Sequence, residues 1–100
     1  MNACAEIIAL TQDLIRIPSM HSRPEEIMRS ADFVLEWCAA HAITARKVVH
    51  NGVPSVLVMP QKTVSLLLMT HLDVVDAPES MFHPRVEGDR LFGRGAIDDK

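Results

Sequence analysis

Residues 66–100 run LLLMTHLDVVDAPESMFHPRVEGDRLFGRGAIDDK, and the placing of His71, Asp73 and Asp98 within that run decides how the chain is read. Leu66 to Met69 is a short, uninterrupted apolar run preceded by Gln61-Lys62-Thr63, the pattern of a strand buried on both faces. His71 then falls where that strand ends. In open α/β sheets ligands bind in the crevice beyond the carboxyl ends of strands, because loops there vary while the sheet holds them. His71 and Asp73 are two residues apart, and in extended chain side chains at that spacing share a side. An imidazole nitrogen can then face a metal while the carboxylate orients the ring from behind. Asp98 adds a hard oxygen donor whose two oxygens are able to bridge two metal ions.

Each piece has a plainer explanation when taken singly. A His-x-Asp triplet by itself is more often a hydrogen-bonded surface or core pair than part of a ligand set. Gly93-Arg94-Gly95 by itself is a turn in which glycine permits positive φ or close backbone approach, with Arg94 a solvated charge or an anion-holding group. Asp98-Asp99 by itself starts a helix, since carboxylates cap free N–H groups and suit the positive end of the dipole. The combination, in this order and at this spacing, turns the balance toward half of a metal site.

Met69-Thr70-His71-Leu72-Asp73-Val74-Val75 and the run from Gly88 to Lys100, GDRLFGRGAIDDK, resemble two signature motifs. They are the first two of the zinc-dependent metallopeptidase family that includes acetylornithine deacetylase, succinyl-diaminopimelate desuccinylase, aminoacylase, glutamate carboxypeptidase and the dipeptidases. The resemblance implies an α/β fold, the N-terminal part of a zinc-peptidase-like catalytic domain. Two helices would be followed by sheet strands, with the metal site at strand carboxyl ends. It implies that His71 ligates one metal, that Asp73 is the catalytic-site residue orienting that histidine, and that Asp98 bridges both metals. The implied cofactor is Zn2+, two per complete site, with Co2+ or Mn2+ able to substitute because ligand type alone does not settle the metal. The implied activity is hydrolysis of an amide bond in a small peptide or an N-acyl amino acid, with a homodimer possible in the complete protein. Asp99 stands where the deacetylases and desuccinylases usually have methionine, which is more like the dipeptidases. Members often carry a proline after the two valines and a tryptophan further on; here stand Asp76 and Met81-Phe82-His83-Pro84, a substrate-side variation. The family commonly holds its bridging aspartate on a non-proline cis bond, so the resemblance implies a cis Asp98–Asp99 bond in a complete, metal-loaded protein.

In that family the second motif is followed by a Glu-Glu pair whose first member is the general base, then by a carboxylate ligand and a distant histidine ligand. None of these can be located in residues 1–100, and Glu25-Glu26 lies in the wrong place and order. A structural zinc needs about four ligands and a catalytic one about three plus water, so two candidate ligands fall short of either. Residues 1–100 are therefore expected to be the N-terminal segment of a truncated catalytic domain, inactive alone. The competing expectation is a non-catalytic remnant that serves as a binding or interaction module.

Composition sets the remaining bounds. A compact chain of 100 residues buries about 65% of its unfolded surface, enough for one modest core. A net charge of −3 with ten scattered Lys and Arg residues gives no electrostatic case for nucleic acid. No apolar run approaches the ~20 residues needed to span a membrane, and no signal-peptide pattern leads the chain. The expected compartment is the cytoplasm. Cys4 and Cys38 fall in or beside apolar helix faces and are expected to be packed free thiols.

Asn2 is placed to cap a helix from about Ala3 to Arg16, with Ile7, Ile8, Leu10, Leu14 and Ile15 as its stripe and Pro18 ending it. Ser22-Arg23-Pro24-Glu25 has capping-box spacing and opens a second helix to about His41. Thr44 to Val49 and Val53 to Met59 read as strands around a His50-Asn51-Gly52 turn, the Leu66 run supplies a third, and Val86 to Phe92 a small hairpin broken at Gly88-Asp89. His21, His41 and His50 read as surface or capping residues. His83, between the motifs, is a weaker candidate for facing substrate. The methionines Met20, Met28, Met59, Met69 and Met81 are spread as core fillers.

Overall fold

A computed structural model describes residues 2–100. Helix α1 spans Ala3–Ile15, and its start is fixed as expected, the Asn2 side chain accepting from Ala5 N at 3.0 Å. Only the C-terminal end of its stripe is deeply buried: Ile15 is fully enclosed, whereas Ile7 and Ile8 stay exposed. Helix α2 spans Pro24–Ala40. Its N-cap is Arg23 with no side-chain cap bond, so the capping box expected at Ser22 does not form. Pro24 at the first turn needs no donor partner there, which makes the side-chain cap less necessary. Ser22 N–H instead donates to Asp76 Oδ1 at 3.3 Å. At the other end His41 stacks on Trp37 and its Nδ1 donates to Trp37 O at 2.8 Å, the capping role expected of it.

Strands β1 (Ala45–His50) and β2 (Val53–Val58) form an antiparallel hairpin in the register Ala45↔Val58 to His50↔Val53. Asn51 and Gly52 have φ of 51° and 79°, both positive, as the twist of a two-residue hairpin turn demands. Helix α2 packs on this hairpin, and Lys47 Nζ reaches back to Asp32 Oδ1 at 2.5 Å. Strands β3 (Arg85–Glu87) and β4 (Arg90–Phe92) make the second, smaller hairpin around Gly88-Asp89. The molecule is thus a compact α/β domain of two helices and two small antiparallel sheets.

That sheet arrangement corrects one expectation. Leu66–Met69 is not a strand: Leu66, Leu67, Leu68 and Met69 are 75%, 66%, 85% and 84% exposed. A strand exists only by pairing, and among the described residues this run pairs with neither hairpin, so nothing buries its two faces. Of the methionines, Met20 is buried, while Met59 and Met69 are exposed. Cys38 is buried and Cys4 exposed, both as free thiols. Exposed apolar chain with unpaired backbone is sticky. The isolated 100-residue chain is therefore expected to self-associate, and Leu66→Lys with Leu68→Lys to reduce that association. Sedimentation of a clean monomer with a sharp cooperative melt would contradict this.

The core that matters for the site is local. Met20, Val74 and Phe82 are buried against one another with Ala77 beside them. The connector between α1 and α2 runs alongside residues 72–77. Met20 and Val74 form a parallel bridge, Val74 N donates to Ser19 O at 2.9 Å, and Ser19 Oγ donates to Leu72 O at 2.6 Å. Ser19 is fully buried, so this zipper is shielded from competing water. No helix among the described residues is long and apolar enough to cross a membrane.

Candidate metal centre

The zipper presents the 70–73 segment, and the 93–100 loop meets it from the other side. Two features hold that loop. A Cβ on Gly93 would lie 2.7 Å from Ile15 Cγ2, so only glycine lets the loop lie this close to the last turn of α1. At the far end Lys100 Nζ donates to Leu14 O at 2.9 Å and Ile17 O at 2.7 Å, satisfying carbonyls at the helix C-terminus where a cation is favoured. Burial pushes the Lys100 ammonium down to about 8. Thr70 Oγ1 hydrogen-bonds the Asp99 carboxylate, tying the two motifs together directly. The peptide bond between Asp98 and Asp99 is cis.

His71 lies at the junction of the two motifs. Its Nδ1 is 2.9 Å from Asp73 O and its Nε2 is 2.9 Å from Asp98 Oδ1. A backbone carbonyl only accepts, so Nδ1 carries the proton. In the neutral ring Nε2 then presents a lone pair, and that lone pair faces a carboxylate oxygen. Two acceptors at 2.9 Å repel unless a cation lies between them, and either a proton or a metal ion answers that need. This is the fit the donor set has for a metal. Ligands about 2.0–2.1 Å from a tetrahedral zinc are about 3.3–3.4 Å apart, and the exposed Asp98 side chain can yield the difference. His71 and Asp98 thus come together as expected. Among the described residues no group of three or more His, Cys, Asp or Glu side chains converges.

Asp73 departs from its expected geometry. Its backbone carbonyl, not its carboxylate, makes the close contact with His71; Oδ1 stands 3.4 Å from Nδ1. The other oxygen, Oδ2, accepts from His21 Nε2 at 2.6 Å, and this bond foremost holds the Asp73 carboxyl below the usual carboxylate range. His21 is exposed, as expected of a surface residue, and its ring also reaches the Asp73 carboxylate beside His71. Its contact with Asp73 spans 52 positions and depends on the zipper. The alternation of Ser19, Met20 and His21, polar-apolar-polar, was the signal that this connector runs extended beside another segment. His83 lines a different cavity, of about 110 Å³, with Arg16, Arg23 and Phe82. None of His71, Asp73 or Asp98 borders it. Arg94 Nε is buried without a hydrogen-bond partner among the described residues.

No family model matches this chain, and no curated protein matches it. The bond to Asp73 O foremost, then that to Asp98, raises the His71 pKa above the usual 6.5. A metal needs the neutral ring, so protons compete for the same nitrogen. Metal affinity is expected to fall as pH drops through this raised pKa, beginning at a higher pH than for an ordinary histidine. In the metal-free protein the imidazolium is the bound form, so the His71 stabilisation is complete below 6.5 and lost as pH rises through the folded value. An NMR titration checks both, and a His71 midpoint at or below 6.5 in metal-free protein would refute them.

Proposed function

We propose that this chain is the N-terminal part of the catalytic domain of a dinuclear metal-dependent hydrolase that cleaves amide bonds in small peptides or N-acyl amino acids. The observation that carries this reading is the facing pair, His71 Nε2 against Asp98 Oδ1 at 2.9 Å, with His71 Nδ1 already committed to Asp73 O. Ordinary surface pairs do not need one ring nitrogen locked from behind; metal-ligating histidines almost always have it.

The roles follow from the donors. His71 would hold one metal through Nε2, and Asp98, with its second oxygen free, would reach a second. Asp73 would fix the tautomer and the ring through its carbonyl, while its carboxylate places negative charge behind the imidazole. When bound, the metals would supply Lewis acidity to the scissile carbonyl and acidify a water. The general base and the remaining ligands would come from sequence beyond residue 100. Zinc is the proposed cofactor, with cobalt or manganese as substitutes, and a small amide substrate the proposed partner.

The test is a panel of dipeptides and N-acyl amino acids offered to the complete protein, stripped of metal and then given Zn2+, Co2+ or Mn2+. Metal-restored turnover is the expected result, with residues 1–100 alone giving none above a His71→Ala control. A complete protein that binds metal at neither motif would favour the other reading, a non-catalytic binding module. The exposed apolar run at Leu66–Met69 is the one observation on that side.

A further inference from the structure

We propose that His21 is a positioning residue of this metal site: by holding the Asp73 carboxylate it fixes the place of the negative charge behind the His71 ring, whose orientation the Asp73 carbonyl sets. The inference rests on the metallohydrolase reading above and adds a member to the site that neither motif contains.

His21 is held in place by both of its chain neighbours. Residue 21 follows Met20, which is buried against Val74 and Phe82, and precedes Ser22, whose N–H donates to Asp76 Oδ1 at 3.3 Å. Ser19, fully buried, is bonded on both sides to the 72–74 backbone. The backbone at 21 is therefore clamped beside Asp73 from both directions, and the imidazole needs no rearrangement to reach it. Its Nε2 lies 2.6 Å from Asp73 Oδ2, and an ionised carboxylate only accepts, so that nitrogen carries the proton and donates.

The carboxylate thus stands between two imidazoles. One oxygen is taken by His21; the other faces His71 Nδ1 at 3.4 Å. Fixing Oδ2 fixes the rotation of the whole group, and with it the distance from Oδ1 to the His71 ring. Without the His21 donor the Asp73 side chain is free to turn toward solvent, since it is 40% exposed. The negative charge behind His71 would then be lost as a constant of the site. An exposed pair such as this contributes little to fold stability, so its effect is expected in the metal site rather than in the melt.

The experiment measures Zn2+ affinity and the Co2+ absorption spectrum of the complete protein, wild type against His21→Phe, His21→Gln and His71→Ala, with a thermal melt of each. Partners one step behind a ligand change metal affinity by about 10–100-fold, and His21, a further step back, is expected near the lower end. His21→Phe should weaken Zn2+ binding about tenfold and shift the Co2+ bands, with an unchanged melt. His21→Gln, whose amide can donate at a similar reach, should recover most of the loss. Phe and wild type alike in affinity and spectrum, with His71→Ala impaired, would overturn the inference and leave the metal site standing. Equal loss in Phe and Gln would overturn the donor role. Wild type that binds no metal, or His71→Ala that binds as wild type does, would instead overturn the metallohydrolase reading.

Discussion

His71→Ala in the complete protein is expected to lower metal-dependent hydrolysis by at least about a hundredfold, since groups merely one step behind a metal already cost about 10–100-fold. The fold should hardly notice. The His71 side chain is 48% exposed and packs into no core cluster, and substitutions at such positions fall within about ±0.5 kcal/mol. That gap between the two effects is what makes the variant informative, because lost activity cannot then be charged to unfolding. The loss should appear as weakened binding of one metal. Elemental analysis after dialysis should drop from about two metals per chain toward about one. Asp98→Asn offers the contrast: it keeps a neutral oxygen near His71 but removes the charge that a bridging ligand needs, so both metals should weaken together. His71→Ala protein with unchanged metal content would count against the ligand assignment, whatever the activity does.

The parts of the fold that were legible in the sequence are those whose causes are local. Asn2 caps α1 and Pro18 follows its end because a side chain and a ring act within one turn of their own position. Asn51-Gly52 specifies a turn by φ alone, so β1 and β2 were placed to within a residue at their ends. Gly88-Asp89 did the same for β3 and β4. Pairing with a distant segment is another matter. Leu66–Met69 carries a strand's composition, yet composition cannot supply a neighbouring edge, and the run stays unpaired among the described residues. The site divides along the same line. His71 and Asp98 stand out as candidate ligands by residue type, order and the motif resemblance, and the structure brings them to 2.9 Å. What Asp73 does with its carboxylate depended on His21, and that contact exists only once Ser19 and Met20 have zipped onto residues 72–74.

Gly93→Ala is expected to be strongly destabilising. The new Cβ would lie 2.7 Å from Ile15 Cγ2, 3.2 Å from Ile15 Cδ1 and 3.5 Å from Met81 O. Neither side can easily give. Ile15 is fully buried and its branched side chain has few rotamers on a helix, while the next residue is anchored by Arg94 N donating to Met81 O at 2.7 Å. Overpacking of this kind costs about 1–3 kcal/mol, a large part of the about 5–15 kcal/mol that holds a domain together. For a chain of this size it should lower the melting temperature by about 4–8 °C per kcal/mol. Ile15→Ala is expected to be at least as costly for the opposite reason, about 2–5 kcal/mol for the cavity it leaves. The two should not add. With Ile15 shortened to Ala, the alanine at 93 moves into vacated space, so the double variant should be more stable than the sum of the single costs by about 0.5–3 kcal/mol. Denaturant titration of all four proteins measures that coupling. The consequence reaches the site because Gly93 opens the loop that Lys100 closes on the same helix end, and Asp98 is presented between those two anchors. Gly93→Ala should therefore also weaken metal binding in the complete protein. An additive cycle, or a Gly93→Ala variant as stable as wild type, would show that the loop does not depend on its packing against Ile15.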